Sequence, residues 1–182
     1  MNKKQEIAPK KILIILTGGT ICSFLNEKGE QHSDTQKAEA LIVHNFRNGQ
    51  SKYRSESDVI FHTEKPLDVL SENMTVEMWQ TLSDKIKTYD FSLYDGVIIL
   101  HGTDTLAYTS SFLSILLAGI KIPVFMVSSQ LPLYNENANG NANFRCAVEK
   151  IVEGITPNIY VVYRNDDTAE KTMYIHLASR LL

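Results

Sequence analysis

Two short segments place hydroxyl groups where they could react. In HGTDT (101–105) the Thr103 hydroxyl stands beside the Asp104 carboxylate, offering a nucleophile or water-positioning group together with a charge that can orient it or accept an ammonium. In TGGT (17–20) two glycines allow a tight turn and a close backbone approach to a ligand, after which Thr20 presents a second hydroxyl. Both segments also have structural readings: TGGT serves as a plain turn, and Thr and Asp are favoured helix N-caps. Threonine is a weak nucleophile until a base takes its proton, help that typically contributes ~10²–10⁴ in rate. No complete triad is legible, because His101 reads as packed against its strand and Lys171 falls in a hairpin turn.

The elements that must position these groups follow from hydrophobic patterning. KILIIL (11–16) reads as a buried strand stopped by Gly18-Gly19. The polar stretch 23–35 reads as a loop long enough to act as a lid. A helix is expected over 34–48, with Ala38, Leu41, Ile42 and Phe46 at helical spacing, and a strand over 58–63. A second helix spans 75–89, with Thr75 as its N-cap and Val76, Trp79, Leu82 and Ile86 on one stripe. YDGVIIL (94–100) has the continuous apolar run of a covered parallel strand. The almost uniformly apolar helix 106–118, stopped by Gly119, is expected to be deeply buried. PVFMVSS (123–129) is a fourth strand, 142–152 a helix, and NIYVVYR and TMYIHLASR an antiparallel hairpin turning around Asn165-Asp166-Asp167.

This alternation predicts an α/β fold: an open, mostly parallel, doubly wound sheet of Rossmann or flavodoxin-like type with a C-terminal β-hairpin. There are too few units to close a barrel. In such sheets ligands bind beyond the carboxyl ends of the strands. That rule gathers Thr17, Thr20, Ser71, Glu72, Thr103, Asp104, Ser128 and Ser129 around one crevice.

Composition narrows the class. The chain has 182 residues, 18 Lys+Arg against 21 Asp+Glu, and 43% hydrophobic residues, as expected of one ordinary globular domain. Cys22 and Cys146 form no CxxC or Cys/His cluster, so no zinc site or disulfide scaffold is expected, and a reducing cytoplasm suits them. A net charge of −3 argues against a nucleic-acid partner, and no apolar run reaches the ~20 residues of a membrane span. No residue set asks for a metal or organic cofactor. The chain stops at Leu182 directly after a strand, which reads as one domain cut from a longer protein.

Taken in order, TGGTI (17–21), SENMT (71–75) and HGTDT (101–105) resemble the N-terminal domain of the bacterial-type L-asparaginase family. The likeness continues through PVFMVSSQLPL (123–133) and NENANGNANF (135–144). It implies hydrolysis of L-asparagine, and sometimes L-glutamine, to the acid and ammonia, with Thr20 attacking the side-chain amide carbon to form a β-aspartyl ester. It also implies that Thr103 and Asp104 form a triad with a lysine, and that Ser71 and Glu72 hold the substrate's α-carboxylate and α-amino group. By position that lysine falls just beyond Leu182. Many relatives activate the first threonine with a loop tyrosine, whereas 23–35 has none, and Asn139 stands where relatives often carry aspartate. The family completes its site with the C-terminal domain of a neighbouring subunit, implying a homo-oligomer and little activity for this chain alone. A glutamine-hydrolysing component of a tRNA-dependent amidotransferase and a non-catalytic amino-acid-binding module are the alternatives. A Rossmann-type nucleotide binder is disfavoured, because the first turn lacks GxGxxG and no matching acidic residue is evident at the end of the second strand.

Overall fold

A computed structural model describes residues 8–165 and 172–181. Its elements are β1 (Lys10–Leu16), β2 (Ser23–Leu25), β3 (Gln31–Ser33), α1 (Thr35–Arg47), β4 (Val59–Glu64), α2 (Val76–Ile86), β5 (Gly96–Leu100), α3 (Leu106–Leu116), β6 (Val124–Val127), α4 (Gly140–Val152), β7 (Ile159–Tyr163) and β8 (Tyr174–Leu177). Six strands form one open sheet in the order β4-β1-β5-β6-β7-β8. All its pairings are parallel except the last, β7 with β8. The expected doubly wound sheet and terminal hairpin are both present. The turn residues Asp166 and Asp167, and Lys171, lie outside the described residues.

Alternation along β1 explains the layering, because successive strand side chains point to opposite faces. Ile12, Ile14 and Leu16 pack with Ala38, Ile42 and Phe46 of α1 and with Phe144, Ala147, Val148 and Ile151 of α4. Leu13 and Ile15 pack on the other face with Leu82 and Ile86 of α2 and Leu106 and Leu113 of α3. The helix starts follow local chemistry: Asp34 accepts from the Lys37 amide at 2.9 Å and Thr75 from the Met78 amide at 3.4 Å.

This division has a topological consequence. From β5 the chain moves across the sheet to β6 and then β7, yet α3 covers one face and α4 the other. The β6–α4–β7 unit is therefore opposite in hand to the other parallel crossovers, a departure from a rule that parallel units almost always obey. Its effect is to set α4 beside α1.

Three expectations need correction. Residues 23–35 are not a plain loop, since β2 and β3 pair antiparallel with Ser23 opposite Ser33. The Asn26 side chain builds the tip by accepting from the amides of Lys28 and Glu30, both at 2.9 Å. Nor is α3 deeply buried: Leu106, Thr109, Ser110 and Leu113 face inward, but Tyr108 is 68% exposed and Ile115 78%. Uniform apolarity carries no phase, so it could not say which stripe meets the sheet. Val76, placed on the inner stripe of α2, is likewise 70% exposed. Replacing Ile115 with Gln is accordingly expected to shift stability by no more than about 0.5 kcal/mol in urea unfolding. A loss of about 2 kcal/mol or more would show that this face is covered.

Candidate active site

The sheet reverses direction at β1, because β4 lies on one side of it and β5 on the other. The carboxyl ends of β1 and β5 therefore flank the switch point, where a ligand crevice opens in such folds. TGGT leaves β1 and HGTDT leaves β5 at that place.

Backbone contacts clamp the two turns together. Gly18 forms an isolated parallel bridge with Val69. The Gly19 amide donates to the Val69 carbonyl at 2.7 Å and the Val69 amide to the Thr17 carbonyl at 3.2 Å. Gly19 has φ 81 and ψ −175, and a Cβ built there would lie 2.1 Å from the Gly102 Cα. One built on Gly102 would lie 2.2 Å from the Ser71 hydroxyl oxygen. Glycines at these positions let three loops come into contact.

Side chains join the second and third loops. Ser71 Oγ donates to Asp104 Oδ2 at 2.7 Å, the Asp104 amide donates back to Ser71 Oγ at 3.3 Å, and Thr105 Oγ1 donates to the Ser71 carbonyl at 3.1 Å. Ser71 is almost fully buried, whereas Glu72 and Asp104 are exposed at the rim. The hairpin is tied down by Asp68, which accepts from the Ser33 hydroxyl and, at 3.1 Å, from the Thr35 hydroxyl. Sequence reasoning passed over Asp68, since a single aspartate in a loop carries no pattern.

The hydroxyl partners separate the candidates. Thr17 Oγ1 is buried and donates to the Leu100 carbonyl at 3.0 Å, tying β1 to β5. Ser129 Oγ donates to the Leu131 carbonyl at 2.6 Å and accepts from the Gly140 amide at 3.0 Å, holding the start of α4. Ser128 is buried with its hydroxyl unpartnered among the described residues, and it serves the framework through its carbonyl, which accepts from Asn143 Nδ2 at 2.9 Å. The hydroxyls of Thr20 and Thr103 make no hydrogen bond among the described residues, and both residues are half-buried. Of the eight residues expected at the rim, Thr17, Ser128 and Ser129 thus serve the framework. Thr20, Glu72, Thr103 and Asp104 remain accessible, with Ser71 beneath Asp104.

His101 is fully buried and its nitrogen Nδ1 lies 2.8 Å from the Gly102 carbonyl, which can only accept, so Nδ1 carries the proton. Burial holds its pKa below the ordinary histidine range and leaves the ring neutral, with Nε2 unpartnered. Burial also raises the Cys22 thiol pKa far above its usual range. Neither group supplies a charged base. Asn139 takes part in the support: its Oδ1 accepts from the Gln130 amide at 3.0 Å and its Nδ2 donates to the Arg164 carbonyl at 2.7 Å. A cavity of about 310 Å³ beside Thr103 is lined further by Tyr163, His176 and Leu181.

The fold and rim together define a doubly wound α/β domain whose switch-point crevice is built from uncommitted hydroxyls, carboxylates and close-packed glycines. The family model "Asparaginase, N-terminal" matches residues 11–181, and the chain belongs to the asparaginase family. It is 34% identical over 153 residues to the L-asparaginase of Thermococcus kodakarensis, covering 84% of this chain and 44% of that relative. It is 29% identical over 171 residues to a glutamyl-tRNA(Gln) amidotransferase component from Haloquadratum walsbyi, covering 93% of this chain and 36% of the relative. A solved structure of the thermostable L-asparaginase from Thermococcus kodakarensis superposes with a TM-score of 0.72 at 31% identity, covering 93% of this chain and 46% of that one. The chain spans less than half the length of each of these relatives.

Proposed function

We propose that the chain is the N-terminal domain of a cytoplasmic amidohydrolase that converts L-asparagine to L-aspartate and ammonia. Thr20 Oγ1 attacks the side-chain amide carbon and gives up its proton, a C–O bond forms, the C–N bond breaks, and ammonia leaves with a proton. Water then cleaves the resulting β-aspartyl ester. The observation carrying this reading is that the hydroxyls of Thr20 and Thr103 make no hydrogen bond among the described residues, on turns held against each other at the rim that also bears Asp104 and Glu72. A zwitterionic substrate suits that rim, with the two carboxylates accepting from its ammonium and the Ser71 hydroxyl holding Asp104 in place for that role.

A lysine after Leu182 and the second domain of a neighbouring protomer would complete the site in a homo-oligomer. On this reading the 182-residue chain alone turns over slowly or not at all. The test is ammonia release from L-asparagine and L-glutamine by the protein that includes the sequence following Leu182. Thr20→Ala is expected to lower kcat by about three orders of magnitude or more. An unchanged rate would dismiss Thr20 as nucleophile. The match to the amidotransferase component favours a second reading, glutamine hydrolysis, which preferential release from L-glutamine would support. Binding of L-asparagine without turnover in the extended protein would favour a binding module.

A further inference from the structure

The opposite-handed crossover sets α4 against α1, and a cavity of about 350 Å³ opens between them. None of Thr20, Ser71, Glu72, Thr103 or Asp104 lines it. Two arginines do: Arg145, in the second turn of α4, and Arg164, just beyond β7. Both residues are half-buried, and neither side chain has a hydrogen bond or ion pair among the described residues. The ion pairs between described residues all use lysine as the cation. One carboxylate, the exposed Glu136, lies on the lining and pairs with neither arginine.

This arrangement is held in place. The Arg164 amide donates to Asn143 Oδ1 at 2.9 Å and its carbonyl accepts from Asn139 Nδ2 at 2.7 Å, which fixes its backbone to α4. Asn45 Nδ2 donates to Asn141 Oδ1 at 3.1 Å, bridging α1 to α4 across the lining and leaving the Asn141 amide hydrogens available to a ligand. Asn141 and Ala142 belong to the first turn of α4, where backbone amides have no intrahelical acceptor. Partly buried guanidiniums without partners are costly, and their planar forks match the paired oxygens of a carboxylate or phosphate.

We infer that the α1/α4 cavity is a binding site for a small oxyanion, a phosphate or carboxylate group held between Arg145 and Arg164. The volume accommodates a small organic acid or phosphate ester as readily as the bare ion. This site is independent of the proposed reaction.

The test is titration of the chain with inorganic phosphate and, separately, with malonate, at fixed ionic strength in an oxyanion-free buffer, followed by NMR. Saturable shifts are expected at the amides of Asn141 and Ala142 and at the side-chain N–H groups of Arg145 and Arg164. The tighter of the two ligands identifies the source chemistry. Arg145→Gln and Arg164→Gln should each weaken binding about tenfold or more, with the dispersed amide spectrum showing that the variants remain folded. Lys28→Gln, which removes a charge from the hairpin tip, should leave affinity unchanged. Non-saturable shifts, or an affinity indifferent to both arginine substitutions, would overturn the site. So would binding that appears only after Asp166→Asn with Asp167→Asn, since the chain's own carboxylates would then be the occupant.

Discussion

Gly19→Ala is expected to destabilise the chain by about 4 kcal/mol or more, lowering Tm by roughly 10 °C or more for a domain of this size. Two penalties combine. With φ 81 and ψ −175, Gly19 occupies a region of backbone space essentially closed to L side chains, a strain of about 1–3 kcal/mol. The added Cβ would also lie 2.1 Å from the Gly102 Cα and 2.3 Å from its amide nitrogen, both backbone atoms that cannot rotate away. Gly119→Ala is the control. It too has a positive φ, of 82, but nothing within 4 Å of its Cβ position, so it should cost only about 1 kcal/mol. Equal losses for the two variants would show that the close approach of the β1 and β5 turns is not what Gly19 provides. Because the same contact sets the spacing between Thr20 and Thr103, any Gly19→Ala protein that still folds should lose activity as well.

Asn143→Ala should cost about 3–5 kcal/mol, measured by urea unfolding. The side chain is fully buried, donates to the Ser128 carbonyl at 2.9 Å and accepts from the Arg164 amide at 2.9 Å. Its removal leaves the buried Ser128 carbonyl and the partly buried Arg164 amide unpaired, each costing about 1–3 kcal/mol, and a small void besides. Asn141→Ala, in the same helix but half-buried with a single bond to Asn45, should cost about 1 kcal/mol. A loss below about 1 kcal/mol at Asn143 would mean that water replaces both bonds.

These two residues also mark how far the sequence could be read. The Asn-rich segment 135–144 was legible as a loop leading into a helix, but its asparagines look alike in one dimension. Only burial and direction separate Asn143, inside the framework, and Asn139, which takes up the Gln130 and Arg164 backbones, from Asn141 on the cavity wall. The rim shows the same limit. Strand ends gather eight polar residues at one edge, yet Thr17 and Ser129 turn their hydroxyls to backbone carbonyls while Thr20 and Thr103 do not. Residues 23–35 failed for a different reason, since strands of three residues each, SFL and QHS, are too short to show the apolar alternation by which strands are recognised.

By itself the sequence determined the order and type of the main helices and parallel strands, the two-sided burial of β1 and β5, and the edge of the sheet where chemistry collects. Those properties rest on local patterning: hydrophobic period, caps and turn residues act within a few positions of one another. The tertiary structure alone decided which hydroxyls stay uncommitted, which face of α3 meets the sheet, and that α4 crosses on the side of α1. It also decided that Gly19 must touch Gly102. These depend on contacts between residues far apart in the chain, where packing and unsatisfied backbone groups select one arrangement from several that the same local pattern permits.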